Sequence, residues 1–381
     1  MIIKGAEVFQ EDGTFCRQEV RVKGGKIVGG GCEGVEEEVI DASGLYAVPG
    51  LIDIHFHGCM GKDFSDGTEE AVHTIAAYEL SQGITSICPA TMTLPAGQIA
   101  KICEVAGQYR EKARVSGGGA REASLRGINL EGPFISPEKK GAQKADYILP
   151  PDAGLLREWM RLGRGLCRLV DIAPESKGAM EFIREVKDEI HVSLAHTTAD
   201  YDTAKRAFAC GADHITHLYN AMPGFSHRAP GVIGAGAEEG AYGELICDGI
   251  HIHPSVIRAT MKLYGSSRVV FISDSMEATG LGDGEYQLGG QAVSVRGNEA
   301  RLADGTLAGS VTNLMDCVRF AVRHGEIPLG AAVKCASVNP AKSIGIYHEV
   351  GSLEEGKEAD ILLIDKELNL VKVIHGGVVV G

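Results

Sequence analysis

The alternation of apolar and polar positions changes rhythm near Pro49. Before it, short alternating runs such as EVRV and KIVGGG are broken by turn signals at EDGT, KGGK and ASGL, a pattern that predicts short strands in a small β unit. After it, short apolar runs alternate with longer helical stretches, as expected of βα units that build a parallel sheet. The predicted strands are LIDIHFH (51–57), ITSICPA (84–90), LRGINLEG (125–132), CRLVDIAP (167–174), IHVSLAH (190–196), DHITHLY (213–219), ELICDGIH (244–251) and RVVFISD (268–274). Eight strands alternating with helices over roughly 250 residues fit a (β/α)8 barrel of TIM type. Beyond Asp274, the Gly-rich GLGDGEYQLGG and hairpin-like text up to LAGS predict an insert over the barrel mouth, followed by a helix pair around 310–345. The tail, GSLEEGKEADILLIDKELNLVKVIHGGVVVG, is strand-like again and is expected to pair with the N-terminal strands. The expected fold is therefore α/β, with a catalytic barrel over 49–349 and a small β-sandwich built from 1–48 plus 350–381.

Composition narrows the function classes. The chain has 381 residues, 44% of them hydrophobic, with mean hydropathy near zero, which is ordinary for a globular protein able to bury a full barrel core. A formal net charge of -14 argues against nucleic acid as a partner, because that needs clustered Lys and Arg on one face. An anionic small-molecule substrate would have to be gripped locally. Ten cysteines are scattered singly with no C-x-x-C, so neither a structural zinc cluster nor a disulfide framework is indicated, and a reducing cytoplasm is the expected setting. The N-terminal MIIKGAEVF alternates into a strand instead of showing a basic segment and an apolar run, and no apolar stretch is long enough to span a bilayer. Neither secretion nor a membrane partner is expected.

The candidate chemistry sits where barrel enzymes carry it, at the C-terminal ends of strands. His55 and His57 close the first predicted strand, and side chains two apart on a strand share a side. Glu131 ends the third within NLEGPF, His196 the fifth within SLAHT, and His217 lies near the end of the sixth within THLYN. For any one of these, a capping or core role is the ordinary explanation; several remote strands delivering imidazole or carboxylate to one mouth point instead to a metal. Two histidines and a carboxylate with an open fourth position are a known catalytic zinc arrangement. Asp274 ends the eighth strand, where a carboxylate beside a dication stays ionised and can accept a proton from water, itself acidified by the metal from pKa ~15.7 to ~7. Asn220, Ala221, His227, Arg228, Asp248 and His251 fall in the same loops, and the guanidinium fork of Arg228 suits a phosphate. His253, before Pro254, reads as structural. His73, His191, His214, His324, His348 and His375 lie on expected helices, early in strands or in the small β unit, and are assigned no chemistry.

HFHG, NLEGPF, SLAHT, THLYNAMPGFSHRAPG, CDGIHIHP, SDSMEATG, LAGS and SVNPAKSIG, in that order, resemble the N-acetylglucosamine-6-phosphate deacetylase family of the amidohydrolase superfamily. The resemblance runs over nearly the whole chain. It implies that Glu131, His196 and His217 hold the main metal, that Asp274 is the acid/base, and that the substrate is an amino-sugar phosphate. It further implies substrate contacts from Ala142 and Gln143, from Asn220 and Ala221, from Asp248 to His251, and from Leu307 through Ala308 to Gly309. Arg228 is implied to reach a phosphate bound in a neighbouring subunit, which makes the protein a homodimer. Because His55 and His57 are both kept, the resemblance implies a second ion bridged through Glu131. Zinc is the first choice of divalent metal; iron, cobalt and manganese also suit such ligands. One position departs from a common family pattern: Gln143 stands where many members carry a histidine that contacts the acetamide, and glutamine can donate a hydrogen bond but cannot become cationic.

Two other readings compete. A cyclic-amide hydrolase of the same superfamily would bridge its metals with a modified lysine on strand four, but CRLVDIAP contains none. A metal-free binding protein on the same barrel is disfavoured because every proposed ligand is intact. Within the family, N-acetylglucosamine and N-acetylgalactosamine 6-phosphates differ at one hydroxyl, and nothing in the motifs separates them.

Overall fold

The computed structural model describes residues 1–29, 38–116 and 121–380. Of the run KIVGGG only Lys26–Val28 is a strand, with Gly30 and Gly31, like the terminal Gly381, outside the described residues.

The predicted barrel is present. Its strands are β1 (Leu51–Asp53), β2 (Ile84–Ile87, resuming at Ala90–Thr91), β3 (Ser124–Leu125, resuming at Ile128–Phe134), β4 (Cys167–Ile172), β5 (His191–Leu194), β6 (His214–Ile215), β7 (Tyr242–Ile246) and β8 (Val269–Ile272). Successive strands pair in parallel. The seam between β8 and β1 is joined by Asp274 N–H donating to the His55 carbonyl (3.0 Å) and His57 N–H to the Ser275 carbonyl (2.7 Å). The Ser273 hydroxyl also donates to Asp53 Oδ2 at 2.5 Å. Runs such as ITSI and VVFI are buried at every position, as parallel strands covered on both faces require.

Most strands are shorter than their apolar text. The expected 213–219 shrinks to His214–Ile215, and 190–196 to His191–Leu194. The physical reason lies in the backbone: His196 (φ 41°), His217 (φ 27°), Tyr219 (φ 76°), Ala221 (φ 50°) and Asp274 (φ 51°) all adopt left-handed conformations, which end a ladder and turn the chain sharply. Each costs non-glycine residues of order 1 kcal/mol, and all five lie at one end of the barrel.

Helices between strands start at side-chain caps. Thr68, Asp152, Asp200 and Asn313 each accept a hydrogen bond from an N–H of the first turn. The helix capped by Asp152 carries Trp159, fully buried, stacked 5.9 Å from Phe134 at the end of β3 and donating its indole N–H to the Ala96 carbonyl at 3.2 Å. It backs the strand that presents Glu131. Trp159→Ala is expected to cost about 3–5 kcal/mol in urea unfolding; a loss below ~1 kcal/mol would mean that this packing does not support β3.

Strands from both ends of the chain share a sheet. Ile361–Ile364 pairs antiparallel with Tyr46–Pro49, and the six-stranded sheet also contains Leu370–His375, Val378–Val379, Glu7–Phe9 and Phe15–Arg17. A four-stranded sheet of Lys26–Val28, Val20–Lys23, Ile2–Lys4 and Val39–Asp41 packs on it through Ile3, Val8, Val22, Ile40, Ile361, Leu363 and Ile374. Gly50 leads from this sandwich into β1; a Cβ there would lie 2.1 Å from Thr85 Oγ1, so no larger residue fits. The segment after Asp274 forms a three-stranded antiparallel sheet, Gly284–Leu288, Gln291–Arg296 and Glu299–Leu302. It leans over the barrel mouth, with Gln291 donating to the Ala142 carbonyl. The helix pair follows as Leu314–Arg323 and a run from Leu329 to Ser343 that includes a π turn at Lys334–Val338.

Candidate active site

Glu131 lies within β3, held in place by a glycine: Gly132 has φ 93°, and a Cβ there would stand 2.1 Å from Thr93 Oγ1. Its carboxylate is the centre of a buried cluster. Oε1 is 3.0 Å from His196 Nε2 and 3.2 Å from His217 Nε2, and those two nitrogens are 3.1 Å apart. Oε2 is 3.2 Å from His57 Nε2, and His55 Nε2 is 3.6 Å from Oε1. His55, His57 and Glu131 form one group able to hold a metal ion and Glu131, His196 and His217 a second, with the carboxylate in common. Asp274 Oδ1 faces the same space, 3.3 Å from His57 Nε2 and 3.9 Å from His55 Nε2.

The donor set fits a divalent cation. Four ligands at ~2.0–2.1 Å in a tetrahedron are about 3.3 Å apart, close to the spacing among Glu131, His196 and His217. His196 Nδ1 donates to the Lys139 carbonyl at 2.8 Å, which leaves Nε2 bare and turned inward, the usual outer-shell arrangement for a ligating imidazole. His55 Nε2 is buried with no hydrogen-bond partner, as a nitrogen meant for an ion would be. Burial opposes charge throughout, yet the cluster overrides it. At Asp274 burial would raise the carboxyl pKa, but the His57 hydrogen bond and the His55 and His57 charges hold it below the ordinary range. At Glu131 burial acts the same way and is outweighed by His55, His196 and His217, leaving the group well below its usual value.

Gln143 is oriented by its neighbours. Its Oε1 accepts the Thr93 N–H at 2.6 Å, and since that N–H can only donate, Nε2 is the end that gives a hydrogen bond to Glu131 Oε2 at 2.8 Å. The glutamine thus grips the shared carboxylate. A cavity of about 340 Å³ opens above the cluster, walled by Ala142, Gln143, Asn220, Ala221, His251, Asp274, Leu307 and Gly309, with Leu288 from the inserted sheet and Thr306 just after it. Of the other sequence-predicted residues, Ala308 is buried between two wall residues, and Asp248 stands behind His251, Oδ2 to Nδ1 2.7 Å. Arg228 is exposed on the loop after His217 and does not line this cavity. His253 caps the following helix, accepting the Ser255 N–H.

Sequence reasoning missed the carboxylates beneath the cluster. Asp53 accepts the His55 N–H at 3.1 Å, and Glu244 lies 2.9 Å from His55 Nδ1. For Asp53 a signal was present: it is an acid inside an apolar run that must be buried on both faces, where unpaired acids are almost never found.

A barrel whose mouth gathers two imidazole pairs around one carboxylate, with an aspartate facing them, has the layout of a metal-dependent hydrolase. The amidohydrolase family model matches residues 46–380. N-acetylglucosamine-6-phosphate deacetylase of Bacillus subtilis (strain 168) is 37% identical, over 99% of this chain and 96% of that protein. N-acetylgalactosamine-6-phosphate deacetylase of Escherichia coli O157:H7 is 31% identical, over 98% and 97%. Among solved structures, N-acetyl-D-glucosamine-6-phosphate deacetylase from Mycobacterium smegmatis, in complex with N-acetyl-D-glucosamine-6-phosphate, matches with a TM-score of 0.90 at 29% identity, covering 100% of this chain and 99% of that one. The chain belongs to the amidohydrolase family and, within it, to the N-acetylglucosamine-6-phosphate deacetylases. No helix among the described residues is long and apolar enough to cross a membrane.

Proposed function

We propose that this enzyme hydrolyses the N-acetyl amide of N-acetylglucosamine 6-phosphate to glucosamine 6-phosphate and acetate. The observation that carries the reading is the single carboxylate, Glu131, facing both imidazole pairs with Asp274 Oδ1 3.3 Å from the His57 ring. Glu131, His196 and His217 would hold one ion, and His55 and His57, sharing Glu131, a second; zinc is our assignment. When bound, such an ion supplies Lewis acidity toward the acetyl carbonyl and acidifies the attacking water. Asp274, kept ionised by the imidazoles beside it, takes the water's proton and passes it to the sugar nitrogen as the C–N bond breaks. Gln143, occupied with Glu131, keeps the carboxylate fixed. Asn220, Ala221, His251 and the Leu307 to Gly309 turn orient the sugar. Arg228, which is exposed and does not line the cavity of its own chain, serves the phosphate in the partner subunit of a homodimer. We assign residues 49–349 to the catalytic unit, and 1–48 with 350–381 to the supporting β unit, of a cytoplasmic enzyme.

The 31% identity to an N-acetylgalactosamine-6-phosphate deacetylase favours the galacto epimer as the second reading. Acetate release from both sugar phosphates, with metal content measured in parallel, separates the two. Faster turnover of the gluco substrate is expected; preference for the galacto epimer would transfer the assignment to it, and activity confined to unphosphorylated sugars or cyclic amides would refute the substrate class.

A further inference from the structure

Behind the metal cluster lies a carboxylate to which no role has been given. Glu244, inside β7, is fully buried. Its Oε2 stands 2.9 Å from His55 Nδ1 and 3.1 Å from the backbone nitrogen of His217, and its Oε1 is 3.3 Å from His214 Nε2. One oxygen on β7 thus touches a member of each imidazole pair.

We infer that Glu244 is a positioning residue that sets the tautomer of His55, and thereby decides whether the His55, His57 and Glu131 group can hold its ion; the inference rests on the two-ion reading above. A neutral imidazole carries one proton between its two nitrogens and binds a metal only through the bare one. His55 Nε2 is turned toward Glu131, so Nδ1 has to carry the proton. Two neighbours compete at Nδ1 with opposite demands. Glu244 Oε2 is fixed as an acceptor, because it already receives the His217 N–H, which can only donate. Asn129 Nδ2, 3.4 Å away, can only donate. If Asn129 prevailed, the proton would move to Nε2 and close the position facing the ion. The nearer carboxylate prevails, since hydrogen bonds to charged acceptors are shorter and stronger than neutral ones. Without it, Asn129 is the remaining partner of Nδ1 and the ring turns into its non-ligating form.

Two substitutions separate geometry from charge. Glu244→Leu removes the acceptor. Glu244→Gln keeps it, because two donors, His55 Nδ1–H and His217 N–H, call for the amide oxygen where Oε2 sits, with the NH2 turned to His214. Zinc titration of the metal-free protein is expected to give two ions per chain for wild type and Glu244→Gln, whereas Glu244→Leu binds the second roughly 10- to 100-fold more weakly, the range for loss of an outer-shell partner. Long-range 1H–15N spectra of histidine-labelled, metal-free protein, recorded at a pH high enough that the His55 ring carries a single proton, are expected to show that proton on Nδ1 in wild type and Glu244→Gln, and on Nε2 in Glu244→Leu. Unchanged second-ion affinity in Glu244→Leu overturns the inference, as does an equal loss in Glu244→Gln. Fewer than two ions in wild type refutes the two-ion reading instead. In that case, or if Glu244→Leu does not fold, the wild-type spectrum decides: an Nε2-protonated His55 overturns the inference and an Nδ1-protonated one sustains it.

Discussion

Replacing Asp274 with asparagine is expected to leave metal content near that of wild type while lowering kcat by roughly 10²- to 10⁴-fold, the usual worth of a positioned acid/base. The expectation follows from what the substitution keeps and what it removes. Asparagine has the same shape and can still contact His57 Nε2, now 3.3 Å from the carboxylate, so the site keeps its geometry. It cannot take a proton from water or return one to the departing nitrogen. Since the two metal-holding groups are built without Asp274, loss of turnover should be separable from loss of metal. Steady-state assay beside metal analysis makes the distinction. Retained turnover would remove Asp274 from its role, and a parallel fall in metal would make it a ligand instead.

The second large effect belongs to Glu131. Glu131→Gln is expected to empty both metal positions, because a neutral amide replaces the one anionic donor that each position shares. Even outer-shell partners are worth ~10–100-fold in affinity, so the loss at each position should exceed that. The isosteric change also leaves four imidazoles facing a group with no charge. Folding should be retained, since Gln143, its Oε1 held by the Thr93 N–H, can donate to an amide oxygen as it does to the Glu131 carboxylate.

The βα rhythm, the insert over the mouth and the return of the tail to the N-terminal sheet were legible because each rests on local periodicity. The candidate site residues stood out for a related reason: an imidazole or carboxylate at the end of an apolar run has few structural uses. That they share one mouth followed from the barrel; how closely the rings approach was not legible, because it depends on where the chain leaves the ladder. His196, His217 and Asp274 take left-handed backbone conformations beyond shorter strands than the apolar text suggested, and no alternation pattern encodes that turn. Glu244 was passed over for the opposite reason. It opens the run ELICDGIH, where it reads as a strand boundary, yet the structure begins β7 two residues earlier and puts the acid inside the barrel. Asp248 and His251 fall within the expected strand 244–251, which ends at Ile246 instead, and their pairing follows from a turn too tight to read from composition.

The claim on which the rest depends is that Glu131 is shared between two ions, one beside His196 and His217, the other beside His55 and His57. Anomalous diffraction at the zinc edge, on crystals of metal-loaded wild type and Glu131→Gln grown side by side, tests it most directly. Two peaks flanking the Glu131 carboxylate, each ~2.0–2.2 Å from its ligand atoms, and neither in the variant, are the expected result. Peaks away from Glu131, or peaks that persist at full height in the variant, would contradict it.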